Sequence, residues 1–151
     1  MRRIRIGAVT LIAALIGLAG PVAADPAPEE AAKYRQSIMK ALSGHNGAIR
    51  AIARGSAGDP DRLASHVEAL VNLASEVHAV FQEGSDVEDS DALPAIWENA
   101  DAFADVVANF EAAADALSDV PSDDLAAVDA AQRELGTACR GCHDDFRADD
   151  D

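Results

Sequence analysis

Apolar residues recur at intervals of three and four along four stretches of this chain, and nowhere do they alternate at every second position. That spacing lays an apolar stripe along one face of a helix, whereas a half-buried strand needs strict alternation. The first stretch, about 28–54, carries Ile38, Leu42, Ile49 and Ile52. The second, 60–82, carries Leu63, Val67, Leu70, Ala74, Val77 and Phe81. The third, 94–118, carries Ile96, Asn99, Phe103, Val106, Phe110, Ala113 and Leu117. The last carries Leu125, Val128, Gln132, Leu135, Cys139, Cys142 and Phe146. Asp59 before Pro60 reads as an N-cap followed by proline at the first helical position. Ser122, with Asp123 and Asp124 behind it, reads as the cap of the last helix. The polar run 83–91 is the longest loop. Four amphipathic helices joined by short connections predict an all-α fold, an antiparallel up-down-up-down four-helix bundle.

Ahead of these helices stands a stretch of another kind. Arg2, Arg3 and Arg5 precede an uncharged apolar run from Gly7 to Ala19, then Gly20, Pro21 and the small residues Val22, Ala23 and Ala24. This is the pattern of a secretory signal peptide over residues 1–24, with cleavage after Ala24. The apolar run is short for a bilayer span. The expected mature domain is 25–151, exported to the periplasm. Removing the three arginines leaves nine basic against 27 acidic side chains, so the net charge falls from −15 to −18. Such a balance argues against nucleic acid, which requires clustered Lys and Arg, and against an anionic membrane surface.

One motif carries chemistry: Cys139-Arg140-Gly141-Cys142-His143. It fits c-type haem attachment, in which two thiols form thioethers and the adjacent imidazole reaches the iron. Residues at i, i+3 and i+4 share a helix face, so Cys139, Cys142 and His143 point together. Three other readings compete. A thioredoxin-like dithiol needs a preceding strand. A zinc site needs four ligands, whereas His45, His66 and His78 are scattered over two other helices. A structural disulfide suits an oxidising compartment and leaves His143 unexplained. No acid–base pair or activated nucleophile stands out elsewhere, so an enzyme is not expected.

The position of this motif near the end of a four-helix chain resembles the cytochrome c′, or class II cytochrome c, family, including its low-spin His/Met members. The run Cys139 to Arg147, the segment Tyr34-Arg35-Gln36-Ser37-Ile38-Met39 and Pro94-Ala95-Ile96-Trp97 carry the resemblance, which spans the mature chain. It implies covalent haem c with iron, His143 as the axial ligand and Cys139 and Cys142 as the anchors. It also implies Arg35 at a haem propionate, Arg147 near the proximal imidazole and Met39 at the distal position. The expected function is electron transport to a redox partner protein, with Met39 as sixth ligand. The alternative is a five-coordinate haem that binds nitric oxide or carbon monoxide. Pairing as a homodimer is compatible with the family.

Overall fold

A computed structural model describes residues 26–148; the expected leader at 1–24 lies outside the described residues. The helices are α1 (Pro28–Ala53), α2 (Leu63–Ala74), α3 (Ala95–Glu98), α4 (Ala100–Ser118) and α5 (Leu125–Phe146). Helix α1 packs on α2, α2 on α4, α4 on α5, and α5 back on α1. That closed ring is the antiparallel four-helix bundle, with α3 a single turn at its edge. Its axis is filled by Ile49, Leu63, Leu70, Leu117, Val128 and Leu135, all essentially without solvent contact. Each such side chain contributes about 1.5–3 kcal/mol by leaving water. Among the described residues the only β-type pairing is one isolated bridge, Ala92 with Arg147. No helix among the described residues is long and apolar enough to cross a membrane.

The expected third helix is broken. Asn99 leaves the helical region (φ −123°, ψ 52°) and divides α3 from α4. The indole of Trp97 donates to the carbonyls of Phe81 and Gln82 at 3.3 and 3.0 Å, pinning α3 across the bundle. Asparagine is a weak helix former and yields there. After the break the stripe is wider than its pattern. Phe103, Phe110 and Leu117 are buried as expected, and Val107 and Ala114 are buried beside them, with Val106 and Ala113 half-buried against the core.

The second helix is also shorter than its pattern. Pro60–Arg62 forms a 3₁₀ turn, and Asp59 accepts from the Asp61 amide at 3.1 Å as expected. The helix proper ends at Ala74, and the chain continues through a second 3₁₀ turn, His78–Val80. Val77 and Val80 remain buried, so the apolar pattern reports burial although the α-helical bonding has stopped. The cap of α5 is Asp124, not Ser122: its carboxylate accepts from the Ala127 amide at 3.0 Å. A carboxylate is the stronger acceptor and favours the positive helix end. His45 and His66 meet Nδ1 to Nδ1 at 3.0 Å and hold α1 to α2.

Two glycines separate backbone need from open space. Gly58 has φ +87°, and a Cβ there would sit 2.6 Å from Ile52 Cγ1. Gly47 lies inside α1 with nothing within 4 Å of a Cβ. Gly58→Ala is expected to destabilise the folded protein by about 1–3 kcal/mol. Gly47→Ala should stabilise it by about 0.5–1 kcal/mol. Chemical denaturation of both variants checks the opposite signs.

Candidate functional site

At one end the bundle holds a cavity of about 610 Å³. It lies in the size range of small-molecule and cofactor pockets. Helix α5 supplies Cys139, Cys142, His143 and Phe146 to its lining, and α1 supplies Arg35, Met39 and Leu42. Leu70, Phe103 and Leu135 extend the apolar wall into the core. Every residue predicted for the site, Arg147 included, therefore borders one cavity. The two thioether candidates and Met39 are half-buried, and His143 is exposed at the rim.

Burial sets the character of the α5 groups. Both thiols are free. Desolvation raises the Cys139 pKa, and Cys142 is pushed up to about 11 by burial first, then by Cys139 and Asp145. Redox-active dithiols have the opposite shift, a lowered pKa that supplies thiolate at neutral pH. The thioredoxin-like reading fails on this ground as well as on the missing strand. Burial lowers the pKa of His143, and the nearby charge of Arg147 adds to the effect. A neutral imidazole at pH 7 is the form that ligates metal. Among the described residues no group of three or more His, Cys, Asp or Glu could hold a bare metal ion.

Arg35 is only 3% exposed, deep for a charged side chain. Its Nη1 donates to Ser85 Oγ at 2.7 Å, and its Nη2 donates to the Ser85 carbonyl at 2.9 Å and to Ser90 Oγ at 2.8 Å. The guanidinium also lies 5.1 Å from the Phe81 ring centre and 5.8 Å from that of Trp97. All three hydrogen-bond acceptors are neutral, and no described carboxylate forms an ion pair with it. Burial accordingly lowers its pKa, with Asp86 opposing weakly. A guanidinium has five N–H donors, of which these bonds use three. An unneutralised cation on the wall of an apolar cavity fits a flat apolar group with an anionic edge. Haem with its propionates has that character, and the two thiols stand at its attachment spacing. The residues present therefore fit haem.

The loop 83–91 was expected only as a connection. It instead folds over Arg35: Gly84 turns the chain at φ +78°, and Ser85 is buried to 1% exposure. Beyond it, the Leu93 amide donates to the Phe146 carbonyl at 3.1 Å and the Ala148 amide to the Asp91 carbonyl at 2.8 Å. The loop thus bonds to both α1 and the end of α5. Phe81, Phe103 and Phe146 pack edge to face above the cavity, with centres 4.8 and 5.3 Å apart. The serines gave no periodic signal; a Gly-Ser pair in a long loop was the only hint.

The family model described as cytochrome C′ matches residues 30–147. Cytochrome c′ of Pararhodospirillum photometricum is 33% identical over 122 residues, covering 80% of this chain and 98% of that protein. Among solved structures, a nitric oxide complex of a mutant cytochrome c prime from Alcaligenes xylosoxidans superposes with a TM-score of 0.73 at 34% identity, covering 81% of this chain and 97% of that one. A carbon monoxide-bound variant from the same organism gives 0.73 at 33% identity, with coverage of 82% and 98%.

The Arg35 contacts yield a local prediction. Ser85→Ala removes one acceptor from a buried cation and should cost about 1.5–3 kcal/mol, the range for hydrogen bonds to charged groups. Hydrogen exchange should rise across residues 83–91 and stay unchanged in α4. Unaltered exchange in the loop would show that Ser85 does not order it.

Proposed function

The chain belongs to the cytochrome c′ family and its cofactor is covalently bound haem c; from that premise we propose that it binds a diatomic gas, nitric oxide or carbon monoxide, on the side of the haem opposite His143. When bound, the haem would supply an iron able to take up a diatomic gas. Cys139 and Cys142 hold it by thioether bonds, and their place on the buried stripe of α5 turns it into the bundle. His143, neutral at pH 7, ligates from the α5 side. Desolvation lowers the pKa of that imidazole, and the charge of Arg147 acts in the same direction. Arg35 directs its remaining N–H donors to a propionate, whose charge relieves the buried guanidinium. Export to the periplasm agrees with the leader pattern and with haem attachment after export.

The observation that carries the gas reading is the apolar wall formed by Met39, Leu42, Leu70 and Phe103 in a fold whose similar solved structures include nitric oxide and carbon monoxide complexes. Such a wall excludes water and admits small neutral molecules. Met39 then acts as a steric wall that sets the room for the gas. This reverses the order expected from the sequence, where electron transfer with Met39 as sixth ligand came first. One observation keeps that second reading: Met39 carries a thioether, borders the cavity, and lies one helical turn from Arg35. Sulfur ligation would raise the reduction potential and close the gas site.

The absorption spectrum separates the two. The gas reading expects high-spin five-coordinate iron in the wild type and no change of spin state in Met39→Leu. Met39→Ala should widen the distal space and speed carbon monoxide binding to the ferrous protein about tenfold, equal to about 1.4 kcal/mol of barrier. A low-spin wild type that turns high-spin on Met39→Leu would favour the electron carrier instead.

A further inference from the structure

Beyond the expected leader this acidic chain has nine lysines and arginines, and four of them line one groove. Arg50 of α1 and Arg54, the residue capping its C-terminus, border with Arg133 and Arg140 from α5 a cleft of about 410 Å³. The placement follows from helix geometry. Arg50 and Arg54 are one turn apart, and Arg133 and Arg140 two turns apart, so each pair forms a row along one face. A helical side chain also leans toward the preceding turn, which carries Arg140 back over Thr137 and Gly136.

The four charges are only partly compensated. Asp129 takes Arg54 Nε and Arg133 Nη1, both at 2.8 Å, so one carboxylate serves two guanidiniums. Arg140 donates to a neutral acceptor, Thr137 Oγ1, at 2.9 Å. Arg50 makes no ion pair among the described residues. Glu134 also borders the groove, which leaves an excess of positive charge. Gly136 lies between the rows, and a Cβ there would stand 3.7 Å from Arg140 Nη1, so its lack of a side chain leaves room beside the guanidinium.

A buried amide on the same wall adds an independent observation. Gln132 is 5% exposed, donates from Nε2 to Asn46 Oδ1 at 3.1 Å, and has its Oε1 buried without a partner. Reversing both amides, an isosteric change, keeps one hydrogen bond between them. It also converts the orphan acceptor into an N–H donor, the polarity that an anion in the groove would favour.

We propose that this groove binds a compact oxyanion of the phosphate class, either the free ion or the phosphate group of a small molecule. Planar guanidiniums match such oxygens with paired N–H donors. The remaining surface selects for a small ligand. With a net charge of −15, the chain repels an extended polyanion, whereas a single small ion senses mainly the local field. The proposal is independent of which ligand occupies the haem iron.

Calorimetric titration of the haem-loaded protein tests it, using inorganic phosphate and glycerol phosphate as probes at constant ionic strength set with sodium chloride. Saturable one-to-one binding is expected. Affinity should fall at least tenfold in the double variant Arg50→Gln/Arg140→Gln and stay within twofold in Arg62→Gln, which lies outside the groove. An unchanged haem spectrum in both variants confirms intact folding. Tighter binding of glycerol phosphate identifies the phosphate group of a small molecule, and equal or weaker binding identifies the free ion. No saturable heat with either probe, or equal affinity in the double variant, overturns the proposal.

Discussion

The bundle leaves one end open in its core, and the remaining features of the site follow from that constraint. Helix α2 stops at Ala74, and the chain passes along the cavity rim through Val77 and Phe81 instead of filling it. Leu70, Phe103 and Leu135 make the inner wall apolar, so the cavity suits a large flat apolar group and suits water poorly. Cys139 and Cys142 stand at its mouth because they continue the apolar stripe of α5, and His143 follows them at the exposed rim. The spacing that places them on one helix face also directs all three to the same cavity. On α5 the apolar stripe that packs the core thus also carries the two cysteines to the cavity.

Arg35 is the opposite kind of constraint, a charge taken out of water beside that apolar wall. Desolvating a cation is costly unless its N–H groups are bonded. Ser85, Ser90 and two aromatic faces offset the cost, and to do so the loop 83–91 must lie against α1. The link from sequence to order here is long-range: residues fifty positions apart settle one buried cation. It also prepares the site, because the guanidinium is held in place before any propionate adds its charge. The pairing of Ala92 with Arg147 ties the same loop to the end of α5. The proximal and distal sides of the cavity are therefore joined through a single segment.

Much of this was legible in the chain itself. The seam of α5 is buried at Val128, Gln132, Leu135 and Phe146, with Cys139 and Cys142 half-buried against the core, since an uninterrupted helix obeys its own period. The Cys-x-x-Cys-His spacing led directly to the cavity. What escaped the reading depended on contacts distant in sequence. The break at Asn99 is set by Trp97 reaching the carbonyls of Phe81 and Gln82, which no local pattern encodes. In α4 the buried face is wider than the predicted stripe, and Val107 and Ala114 join Phe103, Phe110 and Leu117 in it. Ser122 and Asp124 both suit a helix start; the carboxylate took the cap. The role of the loop serines was invisible because a hydroxyl in a polar run has no periodicity to betray its partner.

The cavity therefore brings together an apolar wall, two half-buried thiols whose pKa burial raises and the His143 imidazole at its rim, a set that fits haem c. Intact-mass measurement on the exported protein, produced with a c-type cytochrome maturation system and extracted with acidified acetone, tests this most directly. The account predicts one species, the chain carrying a single haem that survives extraction, lost in the double variant Cys139→Ala/Cys142→Ala. A wild-type mass equal to that of the bare chain, from protein matured under conditions that load other c-type cytochromes, would contradict it.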